Sequence, residues 1–318
     1  MRRRVLVFIL ALLAALPASA QGWPSKPVRL VVPYQAGQGT DVAARLIAER
    51  LGAALGQQVI VDNKPGAGGN IGTEAAAHAA NDGYTLLMGT VATQTMNEFL
   101  YPSTGYDSAK DFMPIILVGM LPMVISANPE FPAKTIQELI AAAKAQPDKI
   151  NVALPSTTAR IVYELFKAKT GAPLFGVPYK ASATAMTETI GGQVPVIIDT
   201  ATATRGQAQS GKLRPLGITT LKSSELLPGV KSVAEQGVDG FEVTAWAAMY
   251  APAGTPKEIV ARLNAEVAKI LALPETRQRL LQLGFEPVSG TPEQLAAFEK
   301  TERAKWGPLI KAAGLKAD

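Results

Sequence analysis

The chain has 318 residues and no cysteine, with 31 basic against 26 acidic side chains and a single histidine. This composition excludes disulfides, thiolate metal sites and cysteine nucleophiles, and leaves His78 as the one histidine for any catalytic relay. Arg2, Arg3 and Arg4 account for much of the positive charge, so the remainder is close to neutral and carries no basic stripe for nucleic acid.

Those arginines open a leader. The apolar run Val5 to Leu16 is short for a bilayer span, Pro17 breaks it, and Ala18-Ser19-Ala20 has the small-x-small pattern of a signal-peptidase site. The expectation is a signal peptide over 1–20, cut between Ala20 and Gln21, and a periplasmic location. No later apolar run is long enough to cross a membrane.

After the leader, short apolar runs alternate with helical patterns. Val28 to Val32 reads as a buried strand. A helix follows over Asp41 to Leu55, with Val42, Leu46, Ile47, Leu51 and Leu55 forming its stripe. Gln58 to Asp62 is the next strand, Asn70 to Ala80 an alanine-rich helix containing His78, and Thr85 to Gly89 a strand. This β-α-β-α-β order predicts a mostly parallel sheet with helices on both faces. The pattern restarts after about residue 125. Thr135 with Glu138 forms a capping box, and strand Asn151 to Leu154, helix Ala159 to Lys169 and strand Leu174 to Val177 follow. Helix Ala183 to Ile190 and strands Val194 to Ile198 and Leu213 to Thr219 complete a second α/β unit. Phe241 to Ala251 is extended. Thr255-Pro256 with Glu258, and Thr291-Pro292 with Gln294, each predict a helix start with a threonine cap.

With no linker between the units, the chain is expected to cross more than once, near Pro122 to Ala127 and near Phe241 to Ala251. The predicted fold is α/β and two-lobed, each lobe a mostly parallel sheet flanked by helices. Residues 21–124 and 245–318 make lobe 1 and 125–244 lobe 2.

Catalytic signatures are missing: there is no HExxH, no EF-hand loop and no GxxxxGK[ST], and Gly37-Gln38-Gly39 lacks a third glycine at dinucleotide spacing because Val42 stands there. Neither a metal nor a cofactor is expected. Binding chemistry is present. In an open α/β sheet, ligands sit beyond the carboxyl ends of the strands. The segment Tyr34-Gln35-Ala36-Gly37-Gln38-Gly39-Thr40-Asp41 joins the first strand to the first helix, and such a turn offers backbone N–H groups and a positive helix end to a carboxylate. The same residues serve equally as a tight turn capped by Thr40 or Asp41. Ser156-Thr157-Thr158, before the helix carrying Arg160, and Asp199-Thr200, after a strand, are the second unit's counterparts, and plain capping accounts for them too.

Further motifs carry a resemblance. Lys26-Pro27-Val28-Arg29-Leu30-Val31-Val32-Pro33-Tyr34 with Gly37 to Asp41, Val61-Asp62-Asn63-Lys64-Pro65-Gly66-Ala67-Gly68-Gly69-Asn70-Ile71-Gly72, Asp82-Gly83-Tyr84-Thr85, Val177-Pro178-Tyr179-Lys180, Gly191-Gly192-Gln193-Val194, Gly211-Lys212-Leu213-Arg214 and Ala251-Pro252-Ala253-Gly254-Thr255-Pro256 occur in order. From about residue 23 onward the chain resembles the tripartite tricarboxylate transporter receptors, the Bug family. The resemblance implies a periplasmic-binding-protein fold of the two-crossing type (type II) and no catalysis. It implies a receptor that binds a small mono- or dicarboxylate and hands it to the transporter's membrane subunits; the two lobes joined by at least two crossings, with no extra oligomerisation helix, lead us to expect a monomer that closes on its ligand. A sensing protein that presents the ligand to a signalling partner would have the same cleft. The implied site takes Tyr34, Ala36, Gly37, Gln38, Gly39, Thr40 and Asp41 from the first loop, and Thr90, Ala92 and Thr93 from the loop after the third strand. Ser156, Thr157, Arg160, Tyr179, Asp199 and Thr200 come from the second lobe, and Trp246 from the crossing strand. The second-lobe loop departs from the family: it lacks glycine, and Arg160 stands where a histidine is usual. Arg160 is therefore expected to read a second acidic group across the cleft.

Overall fold

The computed structural model of the protein describes residues 22–179, 181–312 and 314–316. The expected leader lies outside them. Strand β1 (Val28–Val32) is a valine-rich run whose apolar side chains are fully buried, as befits a central strand covered on both faces. Helix α1 (Gly39–Leu55) buries Ala43, Ala44, Ile47, Ala48, Leu51 and Leu55 at helical spacing, and Gly56, with φ 69°, ends it in the left-handed conformation. Strand β2 (Val59–Asn63), helix α2 (Asn70–Ala77) and strand β3 (Thr85–Thr90) complete the first unit. His78 caps α2 at the surface, where its Nε2 lies 3.2 Å from the Gly105 carbonyl oxygen.

Beyond β3 the chain makes a π-helical turn (Ala92–Met96) and a short helix α3 (Asn97–Leu100), then runs as one 16-residue strand, β4 (Phe112–Ala127). The second unit comprises α4 (Ile136–Ala145), β5 (Asn151–Leu154), α5 (Thr157–Thr170), β6 (Phe175–Pro178), α6 (Ser182–Ile190), β7 (Val196–Thr200), α7 (Ala201–Gln209) and β8 (Arg214–Ile218). Strand β9 (Thr244–Pro252) returns to the first unit, followed by α8 (Lys257–Ala272), α9 (Pro274–Gln282), β10 (Glu286–Pro287) and α10 (Pro292–Ala312).

Two mixed sheets share β4. In the first, β2, β1 and β3 are parallel, and β9 lies antiparallel to both β3 and β4. In the second, β6, β5 and β7 are parallel, and the end of β4 lies antiparallel between β7 and β8. The exchange falls between Pro122, the last partner of β9, and Met123, the first partner of β7. A proline there is consistent with the change, since it cannot donate to a ladder. Each sheet thus has three successive parallel strands, β2, β1 and β3 in the first and β6, β5 and β7 in the second; β9 runs against the first set and the end of β4 against the second.

Thr135 accepts the Glu138 N–H at 3.1 Å and Thr291 accepts the Gln294 N–H at 3.3 Å, so both caps form as expected. Thr255 does not cap: the helix begins at Lys257, and the Thr255 hydroxyl instead donates to the Pro252 carbonyl at 2.7 Å, inside the turn that enters it. The last helix anchors the first lobe. Trp306, Glu299 and Glu302 of α10 are buried where the helix packs on β4 and the π-helical turn, and the two glutamates accept from Trp246 and Tyr250 of β9.

Candidate functional site

The carboxyl ends of β1 and β3 in one lobe, and of β5 and β7 in the other, face a cleft of about 340 Å³ between the sheets. It is lined by first turns: Gly39 and Thr40 of α1, Val91 and Ala92 at the π-helical turn, Thr158 of α5, and Thr202 and Ala203 of α7. The first N–H groups of a helix have no partner within it, and the helix end carries roughly half a positive charge. Leu121, Ala245 and Trp246, from the two crossing strands, form the floor. A wider depression of about 640 Å³ runs beside Gly52, Gln57 and Ile60. It lies at the start of β2, away from the carboxyl ends of the strands.

The first loop is braced from below. Asp41 is 1 % exposed, and its carboxylate accepts the Gly37 N–H at 2.8 Å, Arg45 Nε at 3.0 Å and Asn63 Nδ2 at 2.9 Å. Asn63 also donates to the Tyr34 carbonyl at 3.0 Å, tying the loop to the end of β2. Burial raises the Asp41 pKa, but Arg45, the Gly37 N–H and Asn63 outweigh it and hold the carboxyl below its usual value. Gly37 has φ 86°, a left-handed conformation that turns its N–H toward Asp41. Gly39 is helical and needs no such freedom; its α-carbon faces Phe285. The Tyr34 hydroxyl pairs with Thr90 Oγ1 at 2.7 Å, and burial pushes its pKa up to about 12, so it stays a neutral hydroxyl. Thr93 Oγ1 accepts the Thr90 N–H at 3.1 Å and shapes the turn after β3.

The floor is braced by carboxylates as well. Trp246 is fully buried, and its indole N–H donates to Glu302 Oε2 at 3.1 Å; the same oxygen accepts Trp306 Nε1 at 2.8 Å. Tyr250 donates to Glu299, whose pKa burial raises to about 7 despite the Tyr250 hydrogen bond and nearby Arg303. Arg303 Nη2 donates to the Gln94 carbonyl at 2.7 Å, fixing the π-helical turn from behind.

The second lobe uses hydroxyl caps. Ser156 Oγ accepts the Ala159 N–H at 3.1 Å and Thr200 Oγ1 accepts the Ala203 N–H at 3.2 Å. Each cap takes the third N–H of its helix and turns the preceding residue, Thr158 or Thr202, toward the cleft. Asp199, 3 % exposed, accepts the Ser182 hydroxyl and the Thr200 N–H; burial raises its pKa, and these bonds offset the rise only in part. Thr202 Oγ1 donates to the Leu283 carbonyl at 2.7 Å and Arg205 Nη1 to the Leu281 carbonyl at 2.9 Å, so α7 touches the turn after α9 across the cleft mouth.

Of the residues predicted from sequence, Tyr34, Gln38, Gly39, Thr40, Thr90, Ala92, Thr200 and Trp246 line the cleft. Gly37, Asp41, Thr93, Ser156 and Asp199 lie behind it and hold those that do. Ala36 is exposed at the turn, Thr157 opens α5, and the Tyr179 hydroxyl donates to Glu188 instead of facing the cleft. Arg160 is elsewhere. It lines a separate groove with Tyr163, Glu164 and Lys167. At 100° per residue it stands about 200° around α5 from Thr158, so the helix that presents Thr158 to the cleft turns Arg160 away. Val91, Leu121, Thr158, Thr202, Ala203 and Ala245 were not predicted. Thr158 and Thr202 sit in loops the sequence had singled out, two residues beyond the capping hydroxyls that drew attention. Leu121 and Ala245 carry no polar signal at all.

Comparison with known proteins points the same way. Residues 43–315 match the family described as tripartite tricarboxylate transporter family receptor. The chain is similar to the solved structure of R. palustris Rpa4515 with adipate: 36 % identity, 92 % of this chain and 99 % of that one covered, TM-score 0.80. It is similar to the periplasmic binding protein BugD at 38 % identity, with 93 % and 100 % covered and a TM-score of 0.76. MatC from Rhodopseudomonas palustris with bound malate is 31 % identical, with 91 % and 100 % covered and a TM-score of 0.75.

Proposed function

The chain belongs to the tripartite tricarboxylate transporter receptor family, whose members are solute-binding receptors rather than enzymes, and we propose that it captures a small mono- or dicarboxylate in the cleft between its lobes. The observation that carries this reading is the convergence of helix first turns from both lobes on one cavity. N–H groups at Gly39 and Thr40 face one end of a ligand, and those at Thr158 and Thr202 the other. The adipate and malate of the two relatives are both carboxylates, which accords with this chemistry. No helix among the described residues is long and apolar enough to cross a membrane. Delivery is then to the membrane subunits of a tripartite transporter, by a monomeric periplasmic receptor released by cleavage of its leader at Ala20.

Closure is a hinge motion about the two crossing strands. The bonds from α7 to the Leu281 and Leu283 carbonyls are the kind of contact that holds the lobes together. A thermal-shift screen of organic acids tests the reading: an acid at about 100 times its Kd stabilises the fold by about 2.7 kcal/mol. Small-angle scattering with and without that acid checks closure. A screen in which no carboxylate shifts the transition removes the proposal.

A further inference from the structure

The two ends of the cleft are polar; its middle is not. Beside the first-turn N–H groups lie the side chains of Val91, Leu121, Ala203, Ala245 and the ring of Trp246. The one polar side-chain atom of that group, the Trp246 indole nitrogen, is turned away to Glu302 at 3.1 Å. Of the polar side chains in the lining, the Tyr34 and Thr90 hydroxyls pair with each other at 2.7 Å, and Gln38, Thr40 and Thr158 stand at the helix starts that form the two ends. Thr200 Oγ1 accepts the Ala203 N–H, and Thr202 Oγ1 donates to the Leu283 carbonyl. No lysine, arginine or histidine is among the lining residues. Arg160, the cation nearest in sequence to the second-lobe loop, is committed to another face of α5.

We infer that the cleft selects carboxylates with an unsubstituted hydrocarbon body, and discriminates against hydroxy acids and tricarboxylates of the same length. This rests on the proposal that a carboxylate occupies the cleft. The carboxylate ends find N–H groups at helix starts, which carry only partial charge and need no counter-ion. A hydroxyl on the chain between them meets carbon and loses its water without a new partner. A third carboxylate loses far more, because nothing in the lining can neutralise it. Binding discrimination against an unpaired buried hydroxyl is about tenfold or greater.

Isothermal titration with length-matched pairs tests the inference: succinate against malate, glutarate against 2-hydroxyglutarate, and adipate, with citrate as the tricarboxylate. The expected result is that each unsubstituted acid binds at least about tenfold more tightly than its hydroxylated partner, and that citrate gives no heat. Hydroxy acids that bind as well as or better than their parents overturn the inference but leave carboxylate capture standing. A panel in which no acid binds overturns capture itself, and the inference with it. Ala245→Ser supplies a second arm by placing a hydroxyl in the apolar middle. It narrows the gap within each pair while circular dichroism and the melting temperature stay unchanged. A folded Ala245→Ser protein with an unaltered gap shows that the body of the ligand lies elsewhere, and overturns the inference.

Discussion

The two sides of the cleft present similar helix starts, but they are held in place by different chemistry. On the first lobe, the loop rests on the buried carboxylate of Asp41, and the floor rests on Glu302 and Glu299. On the second, Ser156 and Thr200 cap their helices with hydroxyls, and the one buried carboxylate, Asp199, lies behind the cap. A carboxylate can gather three donors at once and fix a whole loop, at the cost of depending on its own ionisation. A hydroxyl satisfies a single N–H and is indifferent to pH. The first lobe is therefore a pre-formed, charge-dependent half-site, and the second a simpler one whose residues can change with little effect on the fold.

Substitutions separate the two halves. Asp41→Ala is the severest: it strands the Gly37 N–H, Asn63 and Arg45 together. The expected loss is about 3 kcal/mol of stability, at the lower end for a broken buried pair because Arg45 is half exposed. Ligand affinity falls at least about a hundredfold as the loop relaxes. Chemical denaturation and titration of the same sample check both; a normal affinity would show that the loop holds its shape without the carboxylate.

Next is the pH dependence of the floor. Glu299 is raised to about 7, so the folded state binds its proton more tightly than the unfolded chain does. Its contribution is fully favourable below about pH 4.5 and is lost as pH climbs through 7, on the order of 3 kcal/mol. The melting temperature should decline over that window in the native protein and decline less in Glu299→Gln, which keeps an acceptor for Tyr250. Parallel pH profiles for the two proteins would argue that another group titrates.

Gly37→Ala comes third. Nothing lies within 4 Å of the added methyl, so the cost is that of the left-handed backbone alone, about 1–2 kcal/mol. Thr200→Ala, the second lobe's counterpart, loses a helix cap and costs about 1 kcal/mol. If urea melts showed Thr200→Ala to be costlier than Asp41→Ala, the contrast between the lobes would be reversed.

Much of this organisation is legible in the sequence because local signals agree with the fold. The strand of Val28 to Val32 and the stripe from Ile47 to Leu55 each have one period and one reading. Long β4 is obscured: Pro114, Gly119 and Pro122 interrupt its pattern, and its two ends belong to different sheets. Helix α7 is hidden because Thr202, Thr204 and Gly206 dilute its alanines with weak helix formers, a local preference that tertiary packing overrides. Within the site, the polar loops can be located from strand-end logic, but direction cannot. Ser156 and Asp199 have the chemistry of ligands and spend it inside the protein, Ser156 on a helix N–H and Asp199 on the Ser182 hydroxyl and the Thr200 N–H. Arg160 has the right charge on the wrong face of its helix, and only three-dimensional packing reveals that Leu121 and Ala245 meet between the lobes.

The shared strand β4 also dictates an order of assembly. Every strand of the second sheet comes from one continuous stretch, residues 112–218. The first sheet needs strands from before that stretch and β9 from after it, and β9 is the piece that joins β3 to β4. A chain emerging amino end first thus holds three strands of an unfinished sheet until the whole second lobe has passed. Contacts that close over so long a span form late. The lobe written first is the lobe completed last, and the C-terminal helix that buries Trp306 beneath the floor sets the final seal.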